Sequence, residues 1–286
     1  MTLQKPNKGA VLITGASTGI GLACALHLDA LGHRVFAGVR KQADADDLDA
    51  RGSGRLSPLI LDVTDAAQIK AAFEVIAREL DGAPLAGLVN NAGIGLGGPL
   101  EFLPLEDLRW QLEVNLIGQV AVTQAAIPLL RRGAGRIVNI GSIGGKIASP
   151  LMAPYCASKF ALEAVTDVMR YELAPWGIFA CVVEPGQIIT PIWGKATADL
   201  EAVQERYTPE ARAMYAEAIA GMARKIKTGA SKGVPAERVA EAVAHALNAK
   251  SPKTRYLVGP DARGGAFMRW LLPDALFDRF LKKVSA

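Results

Sequence analysis

Residues 14–21 read Thr14-Gly15-Ala16-Ser17-Thr18-Gly19-Ile20-Gly21. They follow the short apolar run 10–14 and open an apolar helical pattern near Gly19, so a strand, a glycine-rich turn and a helix succeed one another. Gly15, Gly19 and Gly21, spaced G-x-x-x-G-x-G, let the backbone turn tightly and approach a bound group closely. The start of the helix adds unpaired amides and the positive end of its dipole, which suits a pyrophosphate. Taken alone, the stretch also fits an ordinary strand-to-helix turn.

Outward from this point the pattern repeats. Short apolar runs at 10–14, 34–39, 58–63, 85–90, 136–141 and 178–184 read as strands, each followed by a segment of helical length. Such alternation predicts an α/β fold: parallel strands joined by right-handed crossovers into a doubly wound sheet with helices on both faces. A seventh strand at 255–258 completes the sheet. Ligands of such sheets sit beyond the carboxyl ends of the strands, near the switch in strand order, so the chemistry is sought there. Two segments stand outside the alternation: 191–232, read as a helical lid over a substrate, and 266–286, read as a docked amphipathic helix. No Pro/Gly/Ser-rich linker divides the chain, and residues 1–286 are expected to form one domain.

Half of the residues are hydrophobic and 21% are charged, enough to bury a sizeable core. The net charge of +4 is spread among interspersed acids and bases, which argues against a nucleic-acid partner. Nine residues before the first apolar run leave no room for a signal peptide, and no run of about 18 apolar residues follows, so a cytoplasmic protein is expected. Cys24, Cys156 and Cys181 lack metal or redox spacing and read as buried free thiols. His27, His33 and His245 are unclustered, and no metal site is expected.

Several residues past the strands fit a dinucleotide. Arg40, after the second strand, stands where a fold preferring NAD places an acidic residue, and its guanidinium suits a 2′-phosphate, which favours NADP(H) over NAD(H). Asp44, Asp46 and Asp47 compete for it. Asp62, with Val63 beside it, is placed to accept from an adenine amino group; Asp65 is the better helix cap. Asn90-Asn91-Ala92-Gly93 follows the fourth strand, where the small Ala92 and Gly93 admit an adenosine ribose, and Asn90 also suits a lock between strands.

The chemical residues come next. Ser142 follows the fifth strand, and Tyr155 and Lys159, spaced i and i+4, share one helical face. A free tyrosine has a pKa near 10, so a neighbouring ammonium that favours phenolate makes the pair a tuned acid/base. Tyr155 then exchanges a proton with a carbonyl or alcohol oxygen while Ser142 steadies it. Asn115, inside the long helix after residue 91, suits a water linking Lys159 to solvent, or else simply bends its helix.

In this order, Thr14–Gly21, Asn90–Gly93, Asn115, Ser142, Tyr155-x-x-x-Lys159 and Pro185-Gly186 with Thr190 resemble the short-chain dehydrogenase/reductases, over about residues 10–260. The resemblance implies a Rossmann-type domain, the tetrad Asn115, Ser142, Tyr155 and Lys159, and a nicotinamide end faced by Pro185, Gly186, Ile188 and Thr190. Lys159 would also hold the nicotinamide ribose. Arg40 looks like the NADP-preferring subset, whereas Ser17 and Thr18 lack the extra base some members carry, which leaves NAD(H) as the alternative. The length, the 191–232 segment and the apolar tail resemble the hydroxysteroid and retinol dehydrogenase branch. A homodimer or homotetramer through the helices of Asn115 and Tyr155 is implied as well.

Apolar residues in the lid (Ile192, Trp193, Leu200, Tyr207, Met214, Tyr215, Met222) and Leu151 and Met152 suit a hydrophobic ketone or alcohol of steroid, retinoid or aromatic type, although core packing accounts for many of them. The tail mixes aromatics with basic residues, but Leu271–Pro273 interrupts it, and docking on its own domain is favoured over a membrane. The rival function is a cofactor-binding regulator or scaffold with little turnover.

Overall fold

Buried aliphatic runs become strands largely where their sequence predicts. These are β1 (Ala10–Ile13), β2 (Arg34–Val39), β3 (Leu56–Ile60), β4 (Leu85–Asn90), β5 (Arg136–Ile140), β6 (Phe179–Pro185), β7 (Ile188–Ile189), β8 (Val234–Pro235) and β9 (Arg255–Val258). The structure is a computed structural model describing residues 8–191 and 207–285. Seven strands form one parallel sheet in the order β3-β2-β1-β4-β5-β6-β9. The chain leaves β1 in one direction and returns on its other side at β4, which opens a crevice above their carboxyl ends.

One strand is corrected. The expected strand 58–63 lies earlier, at Leu56–Ile60, because β2 pairs from Val35↔Leu56 to Val39↔Ile60 and the chain then bends at Asp62. Pro58, without an N–H, is tolerated there because β3 is an edge strand.

The helices are α1 (Gly19–Ala30), α2 (Gln42–Arg51), α3 (Ala66–Leu80), α4 (Leu105–Leu112), α5 (Gly118–Arg131), α6 (Ala153–Leu173), α7 (Pro209–Lys232), α8 (Glu237–Asn248), α9 (Pro260–Leu271) and α10 (Asp274–Ser285). Strand side chains alternate between faces. Val11 and Ile13 pack with Leu28 of α1 and Val243 of α8, whereas Leu12 packs with Phe73 of α3 and Val122 of α5. All three cysteines are buried and free, as expected, and burial pushes the Cys24 and Cys181 thiols up to about 12.

A continuous helical stretch, Leu105–Arg131, has the length and hydropathy to cross a membrane, but 44% of its apolar window is buried in the fold. Beyond β6, β7 pairs in parallel with β8, which brings the two ends of the intervening segment together. Ile192, Trp193 and Leu200 lie outside the described residues.

The tail, expected as one helix, is two. Pro273 has no N–H and forces Leu272 into extended backbone (φ −96°, ψ 134°), which ends α9 before α10 begins. Phe277 of α10 is buried, whereas Phe267, Trp270, Leu271 and Leu276 are exposed.

Candidate active site

The glycine turn is shaped by contacts that only glycine permits. Gly15 and Gly19 have positive φ (64° and 57°). A Cβ on Gly15 would lie 2.8 Å from Ala92 Cα, and one on Gly21 would lie 2.2 Å from Gly15 O. Asn91 fastens the turn: its Nδ2 donates to Thr14 O (3.0 Å) and Gly15 O (2.9 Å), while Thr14 Oγ1 accepts from the amides of Asn91 and Ala92. Thr18 precedes α1 without capping it through its side chain, and the first turn holds no acid. The amides there remain available to an anion, so the residues fit a pyrophosphate. Ser17 is half-buried beside them, and Ile20 packs into the core below.

Arg40 is exposed after β2. Two of its competing carboxylates are engaged elsewhere, Asp46 accepting from Gln42 and Asp47 pairing with Arg51. Asp62 Oδ1 accepts from the Thr64 amide and hydroxyl, a local turn, and Asp65 caps α3 through Ala67 N and Gln68 N. Val63 is buried, its carbonyl oxygen 2.7 Å from where a Cβ on Gly118 would stand. Asn90 is the strand lock: fully buried, it donates to Asn139 Oδ1 of β5 and Thr123 Oγ1 of α5.

At the other end of the crevice, Pro185 closes β6 and Gly186 N donates to Val258 O. The Asp261 carboxylate fills the space where Gly186 would carry a side chain and accepts from Gln187 N at 2.7 Å. Ile188 is buried in β7, and Thr190 reaches back to the glycine turn, 3.2 Å from where a Gly19 Cβ would stand. The segments expected at the pyrophosphate and at the nicotinamide therefore lie side by side.

Ser142 follows β5, nearly buried, its Oγ accepting from Gly144 N at 3.0 Å. Tyr155 and Lys159 lie one turn apart on α6, with Lys159 Nζ 5.8 Å from the Tyr155 ring centre and donating to Ile140 O at 2.8 Å. Among the groups of the chain itself, burial raises the Tyr155 pKa and a hydrogen bond with Ser142 lowers it, burial being the larger effect. Burial also brings Lys159 down to about 8, against an upward pull from Glu163.

Asn115 lies at an irregularity of its helix. It sits in a π-helical turn, Glu113–Ile117, between α4 and α5, fully buried. Its Oδ1 accepts from Ile94 N, and its two amide protons go to Ile94 O (2.9 Å) and Ser158 Oγ (3.2 Å). Ser158 in turn donates to Tyr155 O. Gln111 binds Ile94 O and Leu96 N, and Gln119 binds Ala92 O. Three amides at four-residue spacing thus hold the loop past β4, at Ala92, Ile94 and Leu96, against the helix of α4 and α5, and Asn115 ties it to Ser158 of α6 as well. Neither glutamine, nor Asn91 as the fastener of the glycine turn, was expected from sequence; the i, i+4, i+8 recurrence of amides was the available signal.

A family model described as short chain dehydrogenase matches residues 9–201. The chain belongs to the short-chain dehydrogenase family. It is 40% identical over 264 residues to bovine (Bos taurus) mitochondrial D-beta-hydroxybutyrate dehydrogenase, covering 86% of this chain and 76% of that protein. It is 36% identical over 281 residues to mouse (Mus musculus) retinol dehydrogenase 5, covering 95% and 87%, which bears out the likeness to the retinol dehydrogenase branch. A solved short-chain dehydrogenase from Burkholderia cenocepacia in complex with NADP superposes with a TM-score of 0.72 at 27% identity, covering 98% and 99%. This short-chain dehydrogenase is therefore an oxidoreductase that uses a nicotinamide cofactor on alcohol or carbonyl substrates.

Proposed function

We propose that this enzyme reduces the carbonyl group of a hydrophobic substrate and prefers NADP(H), with Tyr155 as proton donor, Ser142 as oxyanion partner and Lys159 as the neighbouring cation. The observation that carries the reading is the geometry of Tyr155, hydrogen-bonded to Ser142 and with Lys159 Nζ 5.8 Å from its ring centre. Bound in the crevice, the reduced nucleotide supplies hydride to the carbonyl carbon. Tyr155 gives its proton to the carbonyl oxygen as negative charge develops there, and Ser142 holds that oxygen. Lys159 stabilises the phenolate left behind. In the direction of alcohol oxidation the same groups act in reverse.

The nucleotide would be held by Gly15, Ser17, Thr18, Gly19, Ile20 and Gly21 at the pyrophosphate, with Asp62, Val63, Ala92 and Gly93 toward adenosine. Pro185, Gly186, Ile188 and Thr190 would face the nicotinamide. Exposed Arg40, with Asp46 and Asp47 engaged elsewhere, supports recognition of a 2′-phosphate.

The substrate class rests on the clustering of Leu151, Tyr215, Ile219 and Met222, with Met152 close to Met222 at Gly97, just ahead of Tyr155 in the chain. Of the other expected wall residues, Tyr207 packs with Phe102 and Ala211 instead, and Met214 is exposed. The segment 191–232, of which 207–232 are described beyond Pro191, would then act as a lid over the substrate. Exposed Ile117 after α4, and Phe160, Val168 and Tyr171 along α6, support a homo-oligomer through these helices.

Titration with NADPH and NADH followed by a panel of hydrophobic ketones tests the reading. Tyr155→Phe is expected to lose turnover by about 10²–10⁴-fold while still binding NADPH. Near-normal turnover in that variant would overturn the assignment of the proton donor.

A further inference from the structure

Past Lys159, α6 carries Glu163 one turn further along, and Glu163 is buried. Facing it, Glu184 near the end of β6 is 0% exposed. Charged groups converge on the two carboxyls from every neighbouring element. From the turn after β5, Lys146 Nζ lies 3.2 Å from Glu184 Oε1. From β9, Arg255 Nε lies 2.9 Å from Glu163 Oε2 and 3.4 Å from Glu184 Oε1. From α6 itself come Lys159 and Asp167, the latter shared between Arg255 and Arg170.

Despite these cations, Glu163 Oε1 and both oxygens of Glu184 accept no well-directed hydrogen bond. Two carboxylates in contact and out of water do not both ionise readily, and a proton between them supplies the missing bond. Burial and the neighbouring Glu163 together raise Glu184 to about 7, against Lys146. Of the two carboxyls, Glu163 lies closer to the Arg255 guanidinium.

We propose that Glu163 and Glu184 share one proton and serve as positioning residues for Lys159, their remaining negative charge keeping its ammonium charged beside Tyr155. The proposal rests on the assignment of Tyr155 and Lys159 as the chemical centre. The sign follows from the neighbours: burial pulls Lys159 down and Glu163 pulls it up, so removing the charge of Glu163 lowers Lys159 further. The ammonium, present below about 8, is then lost at lower pH.

Two spectroscopic measurements on the whole protein test this without turnover. Infrared spectroscopy of the wild type should show the C=O band of a buried protonated carboxyl that disappears as pH rises through about 7. The band should be missing from Glu184→Gln, and its midpoint should fall in Glu163→Gln. No such band in the wild type overturns the shared proton, and that arm needs no variant to fold. Titration of ¹³Cε-labelled lysine by NMR, with Lys159 assigned through Lys159→Met, should place its midpoint about one pH unit lower in Glu163→Gln and restore it in Glu163→Asp. An unmoved midpoint overturns the positioning role and leaves the pair a purely structural ion cluster. The alkaline limb of carbonyl reduction should move with that midpoint. If both spectroscopic results hold but no carbonyl compound is reduced, the proposed reaction fails while the pair stands.

Discussion

Gly21 and Gly264 both lie in helices, and the same substitution should move stability in opposite directions at the two sites. By helix propensity alone, each Gly→Ala change would stabilise by about 1 kcal/mol. At Gly264 a Cβ meets nothing within 4 Å, so the propensity gain should appear nearly whole. At Gly21 it would stand 2.2 Å from Gly15 O, 2.4 Å from Asn91 Nδ2 and 2.9 Å from Gly15 C. Two of these are backbone atoms, so relief requires the glycine turn itself to move. Overpacking costs about 1–3 kcal/mol, and loss of the two Asn91 hydrogen bonds adds about 1 kcal/mol each. Set against the propensity gain, Gly21→Ala should destabilise by about 2–4 kcal/mol. Urea denaturation measures both variants, and NADPH titration should show at least about a tenfold loss in Gly21→Ala only. If both variants shift stability the same way, or Gly21→Ala binds NADPH like the wild type, the account of the turn is wrong.

Two other substitutions probe the cofactor and loop contacts. Arg40→Ala should weaken NADPH by about 1.5–3 kcal/mol, the worth of a charged hydrogen bond, and leave NADH almost unchanged; equal losses in a fluorescence titration would refute the 2′-phosphate contact. Asn115→Ala strands the Ile94 amide, while Gln111 still serves the Ile94 carbonyl and Ser158 still donates to Tyr155 O, and should cost about 1–3 kcal/mol by denaturation; no measurable loss would deny Asn115 its clamping role.

Much of this was legible because burial and periodicity coincide. The four residues of β1 are all buried, and apolar runs of that kind betray strands of a covered parallel sheet. The glycine spacing and the Tyr155–Lys159 interval are local, so sequence displays them directly. β3 was displaced because Leu59–Val63 continues the apolar run after pairing has ended at Ile60. The roles of Asn115, Gln111 and Gln119 were hidden because their partners are backbone groups 15–27 residues away in the chain. The burial of Tyr155 was hidden for a related reason: spacing reveals the lysine one turn away but not the desolvation around the phenol. Glu184, one acid in an apolar strand, gave no hint that a second carboxyl from α6 would face it.

The pairing of Ile188–Ile189 with Val234–Pro235 makes the intervening segment a cassette. Its entry and exit are stapled together two residues deep, outside the seven-stranded sheet. Insertions, deletions or wholesale exchange between those ends leave the register of β6 and β9 untouched, since that register is set by Val182↔Arg255 through Pro185↔Val258. Under the proposed roles, selectivity could drift or be engineered on one side of the staple while Ser142, Tyr155 and Lys159 stay under separate selection.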